Sequence, residues 1–201
     1  MNKHSLNMNI SKNTSKIIEF LLRNPDKVGF NVNQLARNVK ISVGSAHKIL
    51  QELKKEEIVT AIDMKSSIYY KLNLNNPDTV DICKLTLRKD KRNLPPYVKI
   101  YSDEIENFEQ ADIVILFGSI LSKKEFNDVD VLFVTSEIKK ASIFCNEVSK
   151  IRTKPINPLI MKFDDFVDNI IKENKIILEV LNKGIVIKGE GKYMEALKNA
   201  G

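Results

Sequence analysis

The apolar run Ile113-Val114-Ile115-Leu116-Phe117 ends in Gly118-Ser119, and after eight intervening residues comes Asp128-Val129-Asp130, followed by Val131-Leu132. In a strand, residues i and i+2 point to the same face, so Asp128 and Asp130 would project two carboxylates side by side. Adjacent carboxylates suit Mg²⁺, a hard cation that takes oxygen ligands and keeps part of its water shell. Gly118 has no Cβ, so a backbone or an anion can approach it closely. Ser119 offers a hydroxyl and a backbone N–H at the start of a short helical turn, and Lys123 or Lys124 adds positive charge nearby. Gly-Ser alone is uninformative, and Asp-Val-Asp alone reads equally as a solvated strand end. The conjunction carries the chemistry.

These residues need a sheet to hold them. The segment before Phe117 has no polar alternation, as in a strand buried on both faces, and Asp112–Phe117 is assigned as that strand. Val129–Thr135, Leu159–Phe163 and Gly184–Lys188 supply further strands. Tyr97–Glu109, Ile138–Ile151, Asp164–Lys172 and Lys175–Leu181 read as helices. Interleaved strands and helices predict an α/β mixed sheet with helices packed on it. Upstream, Asn75-Asn76-Pro77-Asp78 and Asn93-Leu94-Pro95-Pro96 interrupt any regular element. Thr79–Arg92 between them reads as a connecting helix. The expected organisation is α+β in two domains, at 12–75 and 95–201, joined by a helical connector at 76–94.

Residues 12–75 follow another pattern. Thr14-Ser15 offers an N-cap to a helix carrying Ile17, Ile18, Phe20, Leu21 and Leu22, which should stop near Asn24-Pro25. Val32, Leu35, Ala36 and Val39 make a short second helix. Ser42 caps a third, with Val43, Ala46, Leu50 and Leu53 on its apolar face. Ile58–Ile62 and Ile68–Leu72 form a hairpin around the turn Asp63-Met64-Lys65-Ser66-Ser67.

Charge is distributed unevenly. Residues 1–95 carry 17 Lys/Arg against 9 Asp/Glu, a net of +8, whereas residues 96–201 carry 15 against 17, a net of −2. A basic excess confined to one half points to a polyanion-binding module joined to something else. No apolar run approaches the ~20 residues of a membrane span, and the first thirty residues lack a signal-peptide pattern. The two cysteines, Cys83 and Cys145, are too few for a disulfide framework or a Cys-based zinc site. A cytoplasmic location and no membrane partner are expected.

Three helices and a hairpin resemble the winged helix-turn-helix family over residues 12 to 73. The informative segment is Asn33-Gln34-Leu35-Ala36-Arg37-Asn38-Val39-Lys40-Ile41-Ser42-Val43-Gly44-Ser45-Ala46-His47-Lys48-Ile49-Leu50. Here a small Ala36 permits a close helix crossing, and a hydroxyl caps the helix presented to a groove. The resemblance implies double-stranded DNA as partner. Ser42 and Ser45 would meet phosphates, Lys48 and Gln51 would reach base edges, His47 would face outward, and Lys65 at the wing tip would touch a phosphate or the minor groove. A winged helix used only for protein packing is the alternative. The connector is a candidate dimerising element, since winged helices often act as homodimers.

The strand–Gly118-Ser119–Asp128-Val129-Asp130 layout resembles the polymerase-β-like nucleotidyltransferase superfamily, in particular its minimal members, over residues 96 to 190. The ending Glu179-Val180-Leu181-Asn182-Lys183-Gly184-Ile185-Val186-Ile187-Lys188-Gly189 is similar as well. The resemblance implies a nucleoside triphosphate bound at Gly118, Ser119 and Lys123, with Mg²⁺ on Asp128 and Asp130 as the catalytic carboxylates. Metal ions there would neutralise the attacking and leaving oxygens of an in-line nucleotidyl transfer. The sequence departs from the family at Ile120-Leu121-Ser122, which is bulkier and lacks a glycine, and at Asn127, where serine is common. It also lacks an acid in Pro155-Ile156-Asn157-Pro158-Leu159-Ile160-Met161, where active members carry a third carboxylate. Asn157 can coordinate a metal weakly but cannot accept a proton. Asp164 and Asp165 read as the N-cap and first turn of the next helix.

Three functions fit this pairing. The first is a DNA-binding, transcription-regulator-like protein whose nucleotidyltransferase-fold domain binds NTP and Mg²⁺ and is catalytically degenerate. The second is an active enzyme transferring a nucleotide from an NTP to a protein, RNA or small acceptor. The third is an interaction protein of the toxin–antitoxin kind. The missing carboxylate leaves the enzyme question open between the first two.

Overall fold

Ser11 opens the first described element: its hydroxyl oxygen accepts the Thr14 N–H at 3.1 Å and caps α1, Lys12–Arg23. The computed structural model describes residues 10–122 and 125–201. The cap lies three residues before the expected Thr14, and Thr14 is instead buried one turn into the helix. The described residues form two compact units, one running to Cys83 and the other from Lys84 to Ala200.

In the first unit, a short β1 (Phe30–Asn31) leads into α2 (Val32–Val39) and α3 (Val43–Lys55). The hairpin strands β2 (Val59–Asp63) and β3 (Ile68–Leu72) follow. Asn31 and Gln34 form a reciprocal capping box, Gln34 N–H to Asn31 Oδ1 at 2.9 Å and Asn31 N–H to Gln34 Oε1 at 2.8 Å. Lys40 ends α2 in the left-handed region at φ 57°, and Ser42 caps α3 by accepting the Ser45 N–H at 3.1 Å. Three residues thus turn one helix into the next. Ile17, Leu35, Ala46, Leu50 and Leu53 are fully buried, and Ala36 is buried beside them. The sheet order is β1-β3-β2, all antiparallel. β1 has only two residues, too short for its own periodicity signal, and it pairs with Tyr69 and Tyr70.

Val43 departs from expectation. The i, i+3, i+7 spacing placed it with the core, yet it is 51% exposed, and Ile49 takes its place on the buried face. At the first helical position no preceding turn lies behind Val43, so the stripe begins only at Ala46.

α4 spans Pro77–Arg92, starting two residues earlier than expected, and the division between units falls inside it. In the second unit come α5 (Pro96–Glu106), β4 (Ile113–Phe117), a single 3₁₀ turn (Ser119–Leu121) and β5 (Val129–Val134). These are followed by α6 (Ile138–Ile151), β6 (Ile156–Met161), α7 (Phe163–Ile171), α8 (Lys175–Lys183), β7 (Ile185–Lys188) and α9 (Glu190–Ala200). The sheet runs β6-β5-β4-β7; β5 and β6 are parallel and the other pairs antiparallel. Val114, Leu116, Val131, Phe133 and Ile105 are fully buried in one core.

β6 begins at Ile156, three residues before the expected Leu159, and takes in Pro158. An edge strand tolerates proline when the missing amide faces away from its neighbour. Ile156 N–H donates to Ser149 Oγ at 2.8 Å. Asp164 and Asp165 lie in the first turn of α7, while Lys162 occupies the cap position without a side-chain bond. α9, with buried Tyr193, Met194 and Leu197 against α7, was not expected. The protein is mixed α+β, and no helix among the described residues is long and apolar enough to cross a membrane.

Candidate functional site

β4 and β5 pair so that Phe117 lies opposite Asp130, which sets Gly118 beside the Asp130 side chain. Gly118 adopts φ 82°, ψ −156°, a conformation an L-residue rarely takes. It has a second reason to be glycine. A Cβ there would stand 2.1 Å from Asp130 Oδ2, so the carboxylate occupies the space a side chain would fill. The protein's own acid thus lies against the face that the absent Cβ leaves open.

The other Asp130 oxygen is engaged too. Parallel pairing puts Asn157 opposite Asp130, and Asn157 Nδ2 donates to Asp130 Oδ1 at 2.8 Å. An amide therefore stands beside Asp130, at the point where the resemblance places a third carboxylate. Asp128 precedes β5 by one residue and is half-buried like Asp130, while Val129 and Val131 are fully buried. The alternation gives the two acids a common face. Among the described residues no group of three His, Cys, Asp or Glu side chains gathers to hold a metal ion. Asp128 and Asp130, with Asn157 Oδ1, are the oxygen donors a cation would find.

Asp164 and Asp165 stand apart from these donors. Asn157 and Met161 are four strand steps apart, about 13 Å at ~3.3 Å per residue, and the two acids lie beyond Met161 at the other end of β6.

The Gly-Ser turn is anchored from below. Ile120 is fully buried and belongs to the core that the sheet covers. Its carbonyl accepts the Tyr97 hydroxyl at 3.4 Å, and the Ser119 carbonyl accepts the Ser122 hydroxyl at 3.3 Å. The bulky Ile120-Leu121 thus holds the turn by burial where a glycine would leave it free. Phe126, two residues before Asp128, stacks on Tyr97 with centroids 6.1 Å apart and meets Tyr101 edge-on at 6.1 Å. Both chain segments that frame the acids are fastened to α5 through these rings. Lys123 lies outside the described residues.

In the first unit, His47, Lys48 and Gln51 are exposed along α3, Ser42 is exposed at its cap, and Ser45 is partly covered. The Ser42 oxygen is committed as an acceptor to the Ser45 N–H, leaving its hydroxyl proton for an outside group. Gln51 is also engaged, its Nε2 donating one of its two hydrogens to the Tyr70 hydroxyl at 3.2 Å. Lys65 is exposed at the hairpin tip with φ 64°. Val43 adds an apolar group to this surface that periodicity had assigned elsewhere.

Both thiols are shielded. Burial pushes the Cys83 pKa up to about 12 and that of Cys145 up to about 11, which leaves no reactive thiolate at neutral pH.

A probable serine/threonine-protein kinase of Dictyostelium discoideum is 26% identical over 117 residues, an alignment covering 53% of this chain. The chain spans 17% of that relative's length. Neither the kinase glycine-rich Gly-x-Gly-x-x-Gly loop nor a His-Arg-Asp triplet occurs in the 201 residues. No protein-family profile matches the chain, and no solved structure does.

Proposed function

We propose that the chain is a DNA-binding regulator whose second unit is a nucleotidyltransferase-like domain that binds NTP and Mg²⁺ without transferring nucleotide. The hydrogen bond from Asn157 to Asp130 carries this reading. A general base must accept a proton, and a neutral amide cannot. Asn157 donates one of its own instead, at the register where a base would be needed. Asp128 and Asp130 remain on a common face to share one cation with the oxygens of a triphosphate. Gly118 and Ser119 present the adjoining turn, and Lys123 follows it in sequence. The first unit supports the DNA half of the reading through its three helices, its hairpin and its basic excess, 12 Lys/Arg against 8 Asp/Glu over residues 1–83.

Calorimetric titration of the whole chain with ATP and with GTP, in Mg²⁺ and in EDTA, tests the nucleotide half. Binding should need Mg²⁺ and vanish in the double variant Asp128→Asn, Asp130→Asn. Incubation with α-³²P NTP should label neither the protein, RNA nor small acceptors. Labelling at an ordinary enzymatic rate would make the chain an active transferase. Unaltered affinity in the double variant would place the nucleotide elsewhere.

A further inference from the structure

We propose that the cleft between the turn at 107–110 and α6 is a docking site for a basic peptide, seating an arginine side chain between Glu109 and Glu147 over the ring of Phe144. Neither the DNA nor the nucleotide reading uses this surface, and both stand whether or not it holds a peptide.

The cleft has a volume of about 330 Å³. That is the small end of the range of about 300–1,000 Å³ found for ligand sites, room for a side chain rather than a large cofactor. Its floor is apolar. The Phe144 ring is half-buried and rests on Phe108 with centroids 5.3 Å apart, and Phe108 meets Phe133 edge-on at 5.8 Å. Ile143 beside it is 58% exposed. The wall opposite α6 is fixed through its carbonyls. The Lys188 ammonium donates to those of Phe108 at 2.9 Å and Glu109 at 3.2 Å, and the Thr135 hydroxyl donates to that of Gln110 at 2.7 Å. A preformed cleft loses little on ordering when its occupant arrives.

Charge selects the occupant. Glu109 stands on one wall and Glu147 on the other, both exposed, and neither has an ion-pair partner among the described residues. Lys140, the cation that lines the cleft, is held by Glu137 at 3.0 Å. Two carboxylates above an aromatic floor suit a cation with a flat apolar face. A guanidinium has that shape: its fork donates to carboxylates while its plane stacks on a ring, which a compact, strongly hydrated ammonium does less well. The same acids repel a nucleic acid.

The surface continues past the cleft, which favours a peptide over a free small cation. Phe144, Glu147 and Ile151 follow i, i+3, i+7 spacing and share one face of α6. Ile151 is 69% exposed and gives a second apolar anchor one turn beyond Glu147. Amphipathic segments dock by laying anchors at that spacing into a groove.

The test uses fluorescence anisotropy of labelled peptides of about twelve residues, with Leu and Arg set one helical turn apart, or Leu and Gln in the same places. Titrated with the full chain, the Arg peptide should bind and the Gln peptide should bind at least about tenfold more weakly. Glu109→Gln and Glu147→Gln should each weaken the Arg peptide about two- to fivefold, as exposed ion pairs do, and Glu147→Lys should abolish binding. Ile151→Ser should weaken the peptide as well. All four positions are exposed, so the melting curve should not move and a loss of binding cannot be unfolding. Equal binding of the Arg and Gln peptides, or undiminished affinity when both glutamates are replaced, would overturn the proposal. Free arginine methyl ester competing as well as the peptide would also overturn it, in favour of a small organic cation. A dimer of the unliganded chain that dissociates in Glu147→Lys would assign the cleft to a second copy instead. Duplex DNA and NTP binding should be the same in every variant, so failure here is distinguishable from failure of those readings.

Discussion

Replacing Asn157 by Asp adds one negative charge at the point where the site has an amide. The bond lost is charge-assisted, Nδ2 to Asp130 Oδ1 at 2.8 Å, and such bonds contribute about 1.5–3 kcal/mol. In its place two carboxylates face each other across the β5–β6 ladder. Their repulsion is about 1 kcal/mol at 4 Å in water and about 4 kcal/mol at an effective dielectric of 20. Asn157 is exposed and Asp130 half-buried, which favours the lower figure. Without metal, the variant should therefore lose about 2.5–4 kcal/mol, or about 10–16 °C in Tm for a domain of this size. A cation shared by three carboxylates reverses the sign of the perturbation. At a hundredfold excess over its Kd, Mg²⁺ returns about 2.7 kcal/mol. Calorimetric melts in EDTA and in Mg²⁺ read this directly, with Asn157→Ala as the control that removes the bond and adds no charge. Asn157→Ala should lose less and gain little from Mg²⁺. Equal melting of Asn157→Asp and wild type in EDTA, or equal Mg²⁺ rescue of the two variants, would refute the geometry assigned to Asp130. A trace of nucleotide transfer by Asn157→Asp would show that the acid alone had been wanting, since one general base is worth about 10²–10⁴-fold.

Gly118→Ala should destabilise the second unit by about 1–3 kcal/mol through its positive φ and its clash with Asp130 Oδ2. That cost should shrink in the Asp130→Ala background, as a double-mutant cycle of melting curves would record. Lys48→Ala should weaken duplex DNA binding and lower the salt slope by about one, without changing the melting curve. Gln51→Ala should change both, because it also strands the Tyr70 hydroxyl. With the thiol of Cys83 raised to about 12 from an ordinary 9.0, the folded state keeps its proton where the unfolded state has lost it. That stabilisation is complete below pH 9 and is lost as pH rises from 9 to 12. Cys83→Ala should flatten the fall of Tm across that window.

Residue types marked the parts of the candidate site that depend on local rules. Gly118, Ser119 and the Asp128/Asp130 pair stood out because strand alternation and a glycine turn leave fixed spacings. Ser42 was legible as a cap because a hydroxyl before an apolar stripe satisfies orphan amides. The placement of Asn157 beside the aspartates followed from the presumed sheet, but its hydrogen bond did not. That bond depends on a parallel register between strands 27 residues apart in sequence, which no local pattern encodes. Val43 misled because helical periodicity continues to the first residue of a helix, whereas burial does not. α9 was missed because Gly189 and Gly191 flank its start and weaken its helical signal; a Cβ at Gly191 would meet only open space, so the helix tolerates the glycine there.

β6 has a consequence for how copies of this protein behave at high concentration. Val129 N–H donates to the Pro155 carbonyl and Thr135 N–H to the Met161 carbonyl, so the odd-numbered residues of this edge face β5. Ile156, Pro158 and Ile160 therefore turn their backbone outward, towards any incoming chain. Of those three positions, the first amide is already satisfied by the Ser149 hydroxyl and the second has no hydrogen to give. A strand docking here would find one donor in a row that needs several, and a templated ladder could not propagate. The proline that fits poorly inside a sheet becomes, at its margin, a guard against fibre growth and edge-to-edge self-association.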